Sequence, residues 1–82
     1  MTDKQHKMVE LKSVQIAYGQ VYQLFNGFSY VRANEFKGPS AELFYGKDVC
    51  DKADFIFDQL KAFVKELYSK AEKLQDEAEK LS

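Results

Sequence analysis

Small and apolar residues recur along the second half of the chain at Leu43, Gly46, Cys50, Ala53, Phe57, Leu60, Val64, Leu67, Ala71, Leu74, Ala78 and Leu81. The steps alternate between three and four, with Lys, Asp, Glu and Gln between the members. Such spacing lays one stripe along a helix and fits the heptad of helix–helix pairing. Pro39 followed by Ser40, Ala41 and Glu42 suits a helix start, because proline in the first turn gives up no hydrogen bond. Gly46 is the one break in residue type, and a helix interior tolerates glycine at a cost of about 1 kcal/mol. The pattern predicts one long helix over about 39–80.

The first half admits two readings. Leu11, Val14, Tyr18, Val21, Phe25 and Phe28 repeat the same three–four steps. Val14, Ile16 and Tyr18 also alternate, and their branched and aromatic side chains favour strands. Gly19 and Asn26-Gly27 would then be turns. The heptad runs further than the alternation, and the second helix needs a face to lie against. A helix over about 4–32 is therefore the preferred reading. Gly38-Pro39 breaks the chain between the halves, and a connection as short as 33–39 makes the helices antiparallel. The expected fold is all-α, a single helical-hairpin domain over 1–82. At 1.5 Å per residue the helices measure about 40 and 60 Å. The last turns of the second helix would project past the open end. There Lys70–Ser82 keeps only Ala and Leu on its stripe, and it should fray unless a partner pairs with it.

Composition changes this picture in one respect. In 82 residues there are seven Phe and five Tyr, 15% of the chain, and no Trp. A chain so short cannot bury that many rings by itself. Tyr18, Phe25, Phe28 and Phe57 fall on the two stripes. Val9, Ile16, Tyr22, Leu24, Tyr30, Phe44, Tyr45, Val49, Phe55, Ile56, Phe63 and Tyr68 lie off them. Exposed apolar residues in such number mark a protein interface. The expected interface residues are Tyr22, Tyr30, Phe44, Tyr45, Phe55, Ile56 and Phe63. The expected partner is another helical chain, as homodimer or heterodimer, completing a four-helix bundle.

Charge and single residues exclude other classes. Twelve basic and 13 acidic residues give a net charge of −1, which is no nucleic-acid footprint. No apolar run approaches the roughly 18 residues that span a bilayer, so no membrane insertion is expected. Met1–Lys7 is polar with no apolar segment behind it, so a cleavable signal peptide is not expected. The chain would stay in the cytoplasm or leave by a route that reads no such signal. His6 is the only histidine and Cys50 the only cysteine, a stripe residue that reads as a buried apolar side chain. Neither has companions at metal-ligand spacing. Asp48, Asp51, Asp54 and Asp58 share a helix face, but Lys47, Lys52 and Lys61 among them make it a solvated or partner-facing stripe. No phosphate loop or nucleophile–base set appears. Neither enzymatic activity, cofactor nor metal is expected.

A helix, a turn carrying the tripeptide Phe36-Lys37-Gly38, and a longer second helix with Tyr68-Ser69-Lys70-Ala71-Glu72 resemble a known family. These features look like the WxG-type small proteins of type VII secretion, the Esx superfamily. Phe36 stands where that family has Trp, and Tyr68 with Glu72 matches its Tyr-x-x-x-Asp/Glu export motif. The resemblance implies a hairpin that dimerises into a four-helix bundle and is exported without a cleavable signal. Alternatively, it implies an accessory partner bound to the helical region of a larger LXG-type effector. In such a hairpin Gly38 lets the chain leave helical geometry, and Phe36 plugs the closed end. Tyr68 and Glu72, one turn apart, would form a composite signal. Two other readings of the residues stand beside this one. One is a compact α+β binding protein, such as a phage-type inhibitor, with a β-hairpin in its first half. The other is a homodimeric coiled-coil protein unrelated to secretion.

Overall fold

A computed structural model describes residues 2–81 of the chain; Met1 and Ser82 lie outside it. Among the described residues there are three helices and no strand: α1 (Asp3–Glu35), α2 (Pro39–Tyr45) and α3 (Lys47–Lys80). The first half is thus helical, and the β-hairpin alternative is corrected. α1 begins one residue earlier than its hydrophobic pattern shows, because Thr2 caps it. The Thr2 Oγ1 accepts from the Gln5 amide at 3.2 Å, and Gln5 Oε1 accepts from the Thr2 amide at 2.8 Å. That reciprocal pair satisfies two backbone donors that a helix start otherwise leaves open.

α1 and α3 run antiparallel as a rod measuring 58 × 14 × 14 Å. Its Cα radius of gyration is 18.0 Å, against about 12 Å for a compact domain of this length. The seam is the two predicted stripes. Leu11, Val14 and Leu74 form its buried cluster, flanked by Leu67 and Ala71. Further along, the Phe25 and Phe57 rings lie 5.2 Å apart. Arg32 takes the next position of the α1 stripe. Its guanidinium stands 4.3 Å over the Phe57 ring and donates to Asp54 at 2.7 Å.

The expected second helix is two helices. Gly46 is not helical: its φ of 95° and ψ of 150° lie in a region that side chains bar, and it ends α2 and begins α3. The break resets the helical phase. Leu43, expected on the stripe, is 90% exposed, whereas the stripe from Cys50 to Ala78 faces α1. Gly38, at φ 98°, starts α2 in the same way. The chain therefore spends its first residues after the turn on a separate short helix, and α3 starts level with the closed end. Its 34 residues then match the 33 of α1, and the projecting tail is also corrected. Leu74 and Ala78 are among the most buried residues, Leu74 packing against Leu11 and Val14. Leu81, the last stripe residue, is exposed.

Candidate protein-binding surface

Among the described residues seven hydrophobic side chains are buried, and none of the large ones is fully enclosed. The accessible surface is 6225 Å² for a chain of 9.5 kDa. A compact monomer of that mass exposes about 5,000 Å², so the surplus is about 1,200 Å². A standard protein–protein interface takes about 800 Å² from each partner.

Heptad positions show where that surface lies. In α1, Leu11, Tyr18 and Phe25 stand at a, and Val14, Val21 and Phe28 at d. In α3, Cys50, Phe57, Val64, Ala71 and Ala78 stand at a, and Ala53, Leu60, Leu67 and Leu74 at d. The g positions of an antiparallel pair border one side of the seam and the e positions the other. The grooves along the rod follow this rule. Glu10, Lys70 and Glu77, all at g, line one groove together. Gln15, Tyr68 and Gln75, all at e, line another with Tyr18.

The g edge is apolar over the half nearest the closed end. It carries Leu24 and Val31 from α1 and Val49, Ile56 and Phe63 from α3, all among the exposed large hydrophobics. Beside them a groove of ≈ 490 Å³ is lined by Phe28, Phe36, Val49, Ala53 and Ile56, with Asp48 and Lys52 also in its wall. Toward the open end the same edge turns to Glu10, Lys70 and Glu77, next to the Lys7–Glu77 ion pair. The e edge carries Gln15, Ser29, Asp54, Lys61 and Gln75, with Met8, Tyr22 and Tyr68 among them. A helix pair with apolar a, d and g positions and a polar e edge offers one face to a further helix.

The expected interface residues do not form a single patch. Ile56 and Phe63 are on the apolar edge. Tyr22 is on the opposite edge, its ring 5.7 Å from Tyr18. Tyr30 stands on the face of α1 turned away from α3, and Phe55 on the outer face of α3, with the Lys52 ammonium 5.7 Å from its ring centroid. Phe44 is 82% exposed on α2. Tyr45 folds inward, its ring 5.1 Å from Phe36 and its hydroxyl donating to Glu35 at 3.2 Å. That hydrogen bond raises the Tyr45 pKa above its usual value. Phe36 is half-buried at the closed end, held between Tyr45 and the groove. Leu24 and Val49, noted only as lying off the stripes, and Val31, not noted at all, are absent from the expected set; Val31 is the one that sequence reasoning missed outright. Its signal is the heptad itself, since it follows Leu24 by seven.

Tyr68 and Glu72 sit well inside the rod, where Tyr68 contacts α1 through a ring separation of 6.0 Å to Tyr18. The Tyr68 hydroxyl is hydrogen-bonded to the Glu72 carboxylate, which raises the tyrosine pKa. Both side chains remain exposed on one face. Two of the four clustered aspartates are in ion pairs, Asp54 with Arg32 and Asp51 with Lys47 at 3.5 Å. Cys50 is buried against the seam, and desolvation pushes its thiol pKa up. Among the described residues no group of three or more His, Cys, Asp or Glu is placed so that it could hold a metal ion. No helix among them is long and apolar enough to cross a membrane. Comparison of the chain with family models, curated proteins and solved structures finds no match.

Proposed function

We propose that this chain is a small, non-enzymatic helical-hairpin adaptor that binds another helical protein along its apolar edge, completing a four-helix bundle. The observation that carries this reading is that edge, where Leu24, Val31, Val49, Ile56 and Phe63 stay exposed beside a seam with a thin core. An antiparallel helix pair laid along it would cover these side chains, and the charged open half would fix its register. The resemblance to the WxG-type proteins extends the proposal. The partner is then a type VII secretion protein, such as the helical region of an LXG-type effector, and Tyr68 with Glu72 forms part of the export signal. Exposure of both residues on one face supports that role.

The test is co-purification of the tagged chain from its native cells, unaltered and carrying Ile56→Lys and Phe63→Lys. A helical partner held by the unaltered chain and lost by the variant, with unchanged circular dichroism, is expected. A partner held equally by both sinks the edge. Secretion of the partner with Tyr68→Ala and Glu72→Ala, at constant complex, tests the export extension. Undiminished secretion leaves those two residues with packing alone.

A further inference from the structure

We propose that the cleft between Tyr18, Tyr68 and Glu72 receives the guanidinium of an arginine side chain on a partner protein. The cleft lies on the e edge, across the rod from the apolar edge. It depends neither on what occupies that edge nor on export.

The cleft encloses ≈ 240 Å³ and is lined by Gln15, Tyr18, Tyr68, Ala71, Glu72 and Gln75. One ring of its aromatic wall comes from each helix: Tyr18 and Tyr68 meet at 52°, with centroids 6.0 Å apart. Tyr22 stacks on Tyr18 and restricts that ring further. Tyr68 is still 55% accessible, so its ring can be reached from outside. Its hydroxyl is hydrogen-bonded to the Glu72 carboxylate one turn on. A carboxylate offers about four acceptor sites, so one hydroxyl leaves most of them open. Among the described residues Glu72 is in no ion pair with Lys or Arg, and no basic side chain stands in the wall. The charged groove on the g edge differs, because Lys7, Lys70 and Lys73 stand among its glutamates.

The rod contains a filled version of this arrangement. The Arg32 guanidinium lies 4.3 Å over the Phe57 ring and donates to Asp54 at 2.7 Å, ring and carboxylate both on α3 and three residues apart. Tyr18 holds the same stripe position of α1 two heptads earlier, and it faces a ring and a carboxylate of α3 four residues apart. α1 thus supplies the cation at one place and a second ring at the other, where the cation must come from another chain. Arginine suits the cleft better than lysine, since its planar fork can stack on a ring while donating two bonds to a carboxylate. A free arginine would also bring an α-carboxylate, for which the wall has no basic partner. A side chain carried on a protein brings the guanidinium alone.

The test is a residue-resolved NMR titration of the full chain with N-acetyl-arginine amide, its lysine counterpart and its uncharged citrulline counterpart. The arginine amide should shift Tyr18, Tyr68 and Glu72 saturably. The lysine amide should bind about fivefold more weakly, and the citrulline amide should not saturate. Glu72→Gln and Tyr68→Leu, with unchanged circular dichroism, should each weaken the arginine amide about fivefold or more. The Ile56→Lys, Phe63→Lys variant should bind it as before, which separates failure here from failure of the apolar edge. A helical peptide with one central arginine should bind at least as tightly as the amide. No saturable shift, equal binding of lysine or citrulline amide, or undiminished binding by Glu72→Gln would each overturn the proposal. So would a cleft that takes the amide and refuses the peptide, since it would then be a site for a small guanidine compound.

Discussion

The Lys7 ammonium lies 2.6 Å from Glu77 Oε2 and ties the first turns of α1 to the last turns of α3. The pair holds down a segment that, by its composition, would otherwise fray. The hydrogen bond to Lys7 lowers the Glu77 pKa below its usual value of 4.5, and the same bond raises Lys7 above 10.5. The Glu77 contribution is present above 4.5 and is lost as pH falls through the lowered folded value. The Lys7 contribution is complete below 10.5 and is lost as pH rises through the raised one. Protection of residues 74–80 against amide exchange, measured relative to the intrinsic rate at each pH, should therefore fall on acidification below 4.5, and Glu77→Gln should remove that dependence. Identical acid profiles in the two proteins would show that the pair does not hold the tail.

Gly46 offers a test of sign. If it stood inside one continuous helix, Gly46→Ala would stabilise the chain by about 1 kcal/mol. Its φ of 95° and ψ of 150° make alanine strained there, and the new Cβ would come within 2.8 Å of Asp48 Oδ1. Backbone strain of this kind costs about 1–3 kcal/mol. Urea unfolding of Gly46→Ala should show a loss of that size; a gain would restore the single long helix.

Leu43 and Leu74 occupy the same heptad stripe in the sequence, yet one is 90% and the other 5% exposed. Leu74→Ala should cost about 2–5 kcal/mol, near the low end because the thin seam can close around the gap. Leu43→Ala should stay within about 0.5 kcal/mol of the parent. Equal losses in thermal or urea melts would contradict the break between α2 and α3.

Tyr45 and Tyr68 each hold a carboxylate, Glu35 and Glu72 respectively, and both pKa values lie above the usual 10.0. Alkaline titration followed at 295 nm should show a late-ionising group of tyrosines. Glu72→Gln should move one of them earlier while the fold is retained. An unchanged curve would mean that the Tyr68–Glu72 hydrogen bond does not persist in solution.

The two seam stripes were legible because period alone specifies them. Steps of three and four leave no second face for Leu11, Val14, Phe57 or Leu74 to occupy. The Arg32 position was less legible, since a charged residue reads as solvent-facing until Phe57 and Asp54 are seen to receive it. The aromatic surplus was visible as a number, but its division among an apolar edge, the back of α1 and the exposed side of α2 was not. Those positions depend on which side of the pair each ring reaches once the helices are antiparallel.

The pattern of side chains by itself determined that the second half is helical, favoured a helix over strands in the first half, and showed where the chain turns and that its rings exceed what it can bury. Only the tertiary structure decided that the second helix breaks at Gly46, that α3 ends level with α1, and that apolar exposure gathers on the g edge. The reason is physical. Periodicity records the face a helix buries, a property of neighbouring residues. The backbone angle at one glycine and the register between two helices are set by contacts that the linear spacing does not contain.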